Sequence, residues 1–231
     1  MKIEIWSDVM CPFCYIGKRH LEEALADFPQ KDEVEIVWKS FQLNPDMPES
    51  SEENVYEYLS KAKGISLEQS KQMHERVEEM AATAGLDYNF DIAKVANSFK
   101  AHRVLQLAKR KNLGNELKEA LLEAYFIKGK NTSDYNTLVE LATSVGITEA
   151  EVELALNEEQ FANYVKQDID EARQIRVQGV PFFVFDRKYA VSGAQPVEHF
   201  KATLEKVQAE SSPFINTSPE QGDSCDVDGN C

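Results

Sequence analysis

Cys11-Pro12-Phe13-Cys14 sets two thiols at the separation that lets their sulfurs meet within one turn at the start of a helix. Such a dithiol exchanges electrons with a disulfide through a mixed disulfide: one thiolate attacks and the second thiol resolves the intermediate. At a helix start the unpaired backbone N–H groups and the positive end of the helix favour an anionic sulfur. That setting can lower a cysteine pKa from ~8.5 into the range ~3.5–7.5. Pro12 suits the first turn, where its missing N–H would have no partner. Cys11 is therefore assigned as nucleophile and Cys14 as resolving thiol. Two other readings compete: half of a zinc site, or a pair of small buried residues. The remaining two of the four cysteines, Cys225 and Cys231, have five residues between them and lie at the far end of the chain. No histidine stands at a ligand-like spacing, His20 being the nearest, so redox chemistry is the stronger reading and no metal is expected.

Pro181 points to the same chemistry. It heads the apolar run Val180-Pro181-Phe182-Phe183-Val184-Phe185, and a proline at the head of a buried strand has no N–H for the ladder. A cis Val180–Pro181 bond would account for it and would offer the Val180 backbone to an extended substrate beside the dithiol; the alternative is a trans proline at a strand start. The second cysteine pair, Cys225-Asp226-Val227-Asp228-Gly229-Asn230-Cys231, follows a stretch of linker-like composition. The reach of residues 210–225 as a flexible chain is ~20 Å, so the pair is a candidate relay to Cys11/Cys14, against a passive or metal-binding tail.

The elements that must hold these residues follow from periodicity. Residues 2–6 alternate as a strand, and Leu21, Ala24, Leu25 and Phe28 mark a helix that ends at Pro29. Residues 33–42 read as a second strand. Helical spacing then runs through 52–62, 67–84, 91–111, 115–127, 134–145, 149–156 and 159–176, with capping-box patterns at Ser66 and Thr148. Strands return at 180–185 and 189–192 across a polar turn, followed by a helix at 197–209. The expected architecture is α/β, one small mixed sheet assembled from both ends with an all-helical block inserted. Residues 1–48 and 158–209 form the discontinuous sheet domain, 49–157 the insertion, and 210–231 a flexible tail.

Composition narrows the partners. In 231 residues, 25 basic and 40 acidic side chains give a formal net charge of −15. Such a surface repels phosphates and anionic lipid, so neither nucleic acid nor membrane is an expected partner. No apolar run approaches the ~20 residues of a bilayer span. The N-terminus lacks the basic and apolar regions of a secretory signal, which points to the cytoplasm. There, closely spaced cysteine pairs are more often catalytic, redox-sensing or metal-binding than structural, and short loops gain little from a cross-link.

The chain resembles the thioredoxin superfamily, and within it the DsbA-like group and its FrnE-type branch. The resemblance covers residues 2 to about 209. It rests on Ser7-Asp8-Val9-Met10-Cys11-Pro12-Phe13-Cys14-Tyr15-Ile16-Gly17, Asn97-Ser98-Phe99-Lys100-Ala101-His102-Arg103, Gly179-Val180-Pro181-Phe182-Phe183 and Ser192-Gly193-Ala194-Gln195-Pro196. It implies a thioredoxin-like fold with a large all-helical insertion. It also implies exchange with protein disulfides or dithiols and no cofactor beyond thiols, with glutathione or another low-molecular-weight thiol as a candidate co-substrate. Substrate contacts would fall on Val180, Pro181 and Phe13. The 2-hydroxychromene-2-carboxylate isomerases and kappa-class glutathione transferases share this fold but use a serine where this chain has Cys11. A glutathione-dependent isomerase or transferase is thus one alternative, and a redox-switched binding protein or holdase is another. His102 and Arg103 are expected to continue a helical face with Ile92, Val95, Ala96 and Phe99. They and Asn97 either turn inward to the cleft or serve the structure. Asp8 is either a turn cap or a proton relay.

Overall fold

The computed structural model describes residues 1–211; Cys225 and Cys231 lie outside them. Four strands form one sheet in the order β2-β1-β3-β4: β1 (Lys2–Ser7), β2 (Glu35–Ser40), β3 (Phe182–Phe185) and β4 (Tyr189–Ser192). β1 pairs parallel with β2, which requires a crossover, and that crossover is helix α1 (Pro12–Ala26). β1 also pairs antiparallel with β3, Ile5 opposite Phe183, and β3 with β4. The two ends of the chain therefore build a single sheet.

Alternation along β1 divides its side chains between two faces. Ile3 and Ile5 join Leu21, Phe183, Phe185, Phe200 and Leu204 in the core under α1 and α9 (Val197–Ser211). Trp6, on the other face, packs with Ala172 of α8 (Glu159–Gln174) and donates its indole N–H to the Asp168 carbonyl at 2.9 Å. Buried Glu4 on that face is neutralised by Arg187, whose position follows from the three-residue connection Asp186–Lys188 between β3 and β4: Asp186 and Arg187 both have positive φ, the pattern of the two central residues of a type I′ turn.

Between β2 and α8 lie α2 (Val55–Lys63), α3 (Leu67–Thr83), α4 (Phe99–Arg110), α5 (Gly114–Phe126), α6 (Tyr135–Ser144) and α7 (Glu149–Asn157). One insertion core joins α4–α7 to Phe161 of α8; the other joins α2, α3 and α5 to Tyr15 and Ile16 of α1. The capping boxes expected at Ser66 and Thr148 are present. The expected helix over 91–111 is not: it begins only at Phe99, so Ile92, Val95 and Ala96 do not share a helical face with His102 and Arg103. Local side-chain bonding overrides the apolar period here. The Asn97 carboxamide accepts from Phe99 N and donates to the carbonyls of Pro45 and Met47, and Asn97 N donates to Pro48 O.

Gly129 fixes this irregular segment from the other side. Its φ is +61°, and a Cβ there would stand 2.5 Å from the Ile92 carbonyl oxygen. Gly129→Ala is expected to lower stability by about 1–3 kcal/mol through both backbone strain and this clash, measured as a lower urea midpoint with unchanged slope.

Candidate active site

Cys11 is the N-cap of α1 and Pro12 occupies its first turn, with Cys14 N–H donating to the Cys11 carbonyl at 3.0 Å. Both cysteines are free thiols and both are buried. They differ in access. Cys11 lines a cavity of about 610 Å³, whereas Cys14 lies beneath it. The Cys11 thiol donates to the Val180 carbonyl at 3.4 Å, and the Val180–Pro181 bond is cis. The structure thus brings Cys11, Cys14, Val180, Pro181 and Phe13 together, and Phe13 stands exposed at the cavity rim. Gly17 allows this meeting: a Cβ there would sit 3.1 Å from both the Pro181 and Phe183 side chains.

The charge distribution departs from the sequence expectation of a lowered pKa on Cys11. The hydrogen bond with Cys14, and then burial, push the Cys11 thiol well above the ordinary cysteine range. Against the cost of burial, the bond from Cys11 and the nearby Lys118 ammonium hold Cys14 below it. The two thiols are coupled and titrate as a pair. Of the two, the deeper Cys14 is the one whose anion is favoured, while Cys11 keeps its proton more firmly and donates it to the Val180 carbonyl.

Asp8 is fully buried but caps no turn of its own through its side chain. Its carboxylate accepts from Leu43 N at 2.7 Å and from His102 Nε2 at 3.3 Å. His102 therefore does reach inward from α4, to Asp8. Asn97 ties the 42–48 segment to the start of α4. Arg103 turns elsewhere, donating to the Ala155 and Glu158 carbonyls at the end of α7. Its role is structural, and the cleft-facing reading of Arg103 is set aside.

The insertion contributes parts that sequence reasoning missed. Tyr88 donates to the Pro12 carbonyl at 2.7 Å and stacks on Phe126, with Phe90 edge-on to both. Met47, Tyr125 and Met73 complete an apolar wall facing Cys11. Lys118 is buried behind the dithiol. Its spacing to Leu121, Leu122 and Tyr125 is the signal that marks its side as inward. Glu119, the next residue, holds α1 by ion pairs to Lys18, at 2.6 Å, and to Arg19.

The DSBA-like thioredoxin domain family matches residues 2–205. The chain is 27% identical over 187 residues to the uncharacterized protein YwbO of Bacillus subtilis (strain 168), covering 79% of this chain and 85% of that one. A probable DsbA oxidoreductase from Streptomyces coelicolor, SCO1869, superposes with a TM-score of 0.86 at 37% identity, covering 100% of this chain and 98% of that one. The cytosolic disulfide reductase DsbM of Pseudomonas aeruginosa shares the fold, with a TM-score of 0.66 at 15% identity over 91% of this chain and 100% of that one. Among the described residues, no helix is long and apolar enough to cross a membrane.

The buried Asp8 carboxylate gives a pH signature. Burial alone would raise its pKa, but the His102 imidazole and the Leu43 N–H outweigh this and hold it below 3.8. A depressed native pKa adds stability that is complete above the unfolded value and is lost as pH falls through the native one. Asp8→Asn is expected to cost about 1–3 kcal/mol at neutral pH, and the gap from the parent protein should narrow below pH 3.8. Urea unfolding across pH measures both.

Proposed function

The chain belongs to the DSBA-like thioredoxin domain family, and from that premise we propose that it is a thiol–disulfide oxidoreductase acting on protein disulfides through Cys11 and Cys14. The observation that carries this reading is the paired thiols at the start of α1, with Cys11 alone of the two lining the cavity. The 37% identity to the Streptomyces coelicolor protein supports it.

In the reducing direction the shared charge moves to Cys11, which attacks a substrate disulfide. A Cys11–substrate bond forms and one substrate sulfur leaves as thiolate. Cys14 then attacks Cys11 Sγ, the intramolecular disulfide forms, and the second substrate sulfur leaves with the electron pair. The Val180 carbonyl, which accepts from Cys11 in the free site, would accept a backbone N–H of an extended substrate chain. Phe13 would border the substrate at the rim. Glutathione or a similar small thiol would return the disulfide to the dithiol, and no other cofactor enters. The site of action on this reading is the cytoplasm. Cys225/Cys231 would relay electrons to or from this pair.

A second reading has its own observation. The cavity beside Cys11 falls within the range of small-ligand sites, ~300–1,000 Å³, and its apolar, aromatic lining suits an aromatic molecule conjugated to glutathione. That is the isomerase or transferase alternative, with cysteine in place of serine.

Cys11→Ser separates the two: protein-disulfide exchange drops insulin reduction to the uncatalysed rate, whereas glutathione-linked isomerisation survives. Cys14→Ser should accumulate a mixed disulfide on Cys11, visible by mass. Truncation after residue 215 should slow turnover with a recycling thiol; unchanged turnover would end the relay idea.

A further inference from the structure

Lys118 has no part in the exchange steps above, yet it lies inside the protein directly behind them. Its side chain enters from α5 and the residue is 1% exposed. Glu119 beside it turns to Lys18 and Arg19 on α1, so the two neighbours on α5 point to different tasks. Among the described residues the Lys118 ammonium makes no hydrogen bond and no ion pair with a carboxylate; it lies over the Trp38 ring of β2 at 5.5 Å. The groups facing it are Cys14 and Lys18 from α1, and Asp8 and Cys11 from the turn before it, with His102 of α4 behind Asp8. A buried ammonium is costly unless it is compensated. Asp8 is already occupied by His102 and Leu43. Besides that engaged carboxylate, the acidic group that faces Lys118 most strongly is the Cys14 thiol.

We propose that Lys118 is the counter-charge of the reduced site: its ammonium stabilises the thiolate shared by Cys14 and Cys11, favours dithiol over disulfide, and makes the protein a stronger oxidant than the CPFC turn alone would be. It acts through the charge and is a positioning residue. The inference rests on the thiol–disulfide exchange proposed above. When Cys14 attacks Cys11 Sγ of the mixed disulfide, the Cys14–Cys11 bond forms and the Cys11–substrate bond breaks. The electron pair leaves on the substrate sulfur, which takes its proton from solvent. The negative charge goes with it, and the Lys118 ammonium keeps only Asp8 as a facing anion. Reduction returns the charge. The free energy of that lost pairing counts against the disulfide form only.

Lys118→Met keeps length and apolar volume and removes the charge. In glutathione buffers, with Cys11 and Cys14 followed by alkylation and mass mapping in the full chain, its equilibrium should shift at least tenfold toward the disulfide, about 30 mV more negative. The pH at which Cys11 or Cys14 becomes reactive to iodoacetamide should rise by about one unit. A folded variant whose equilibrium and reactivity profile stay within twofold of the parent would overturn the inference. If the variant does not fold, the parent protein decides. The Lys118 ¹³Cε resonance should titrate at lower pH in the disulfide form than in the dithiol form, and equal midpoints would overturn it. A parent protein in which Cys11 and Cys14 form no disulfide at any glutathione ratio would remove the exchange reading itself, and this inference with it.

Discussion

An anionic sulfur held out of water has to be compensated by its surroundings, because an apolar interior does not solvate charge. This site contains another buried acidic group, Asp8, close to the sulfurs. The compensation is correspondingly divided. The start of α1 supplies backbone N–H groups, His102 and Leu43 take Asp8, and Lys118 faces the sulfurs. Two of these partners, His102 on α4 and Lys118 on α5, come from the insertion. The CPFC turn therefore depends electrostatically on a part of the chain outside the sheet that holds it.

The same interdependence appears in the packing. The sheet is closed only when β3, from the far end of the chain, pairs with β1. That pairing carries the Val180 carbonyl to Cys11. The insertion then covers the turn: Tyr88 holds the Pro12 carbonyl, and the aromatic group of Tyr88, Phe90 and Phe126 lies over it. What remains open is an apolar mouth rimmed by Phe13, Leu43 and Met73 on a protein of net charge −15. An apolar group entering that mouth gains from burial, while a strongly acidic one is repelled by the surface as a whole.

Much of this was legible in the residues. The alternation of Ile3 and Ile5, the CPFC turn and the proline heading an apolar run were enough to place the dithiol and the cis peptide bond in one site. The capping patterns at Ser66 and Thr148 located helix starts because their interactions are local. Three features needed tertiary information. The helix over 91–98 failed because Asn97 bonds to Pro45, Met47 and Phe99, partners invisible to periodicity. His102 and Arg103, adjacent in sequence, part company because successive helical positions point about 100° apart, one to Asp8 and one to the end of α7. The seat of the charge depended on Lys118, far along the chain from either cysteine.

The cavity wall opposite Cys11 is the part of the site least determined by regular structure. Leu43, Asn44 and Met47 line it from a segment that belongs to no helix or strand. Its backbone polar groups cannot be satisfied by a ladder, so side chains must do it. Asp8 takes Leu43 N, while Asn97 takes the Pro45 and Met47 carbonyls and is met by the Gln42 amide. The residue that holds this wall from below, Asp8, is also the carboxylate beside the sulfurs. A change in the charge at the dithiol is thus felt by the group that anchors the cavity-lining segment, and the electrostatics of Cys11/Cys14 and the shape of the cavity share one support.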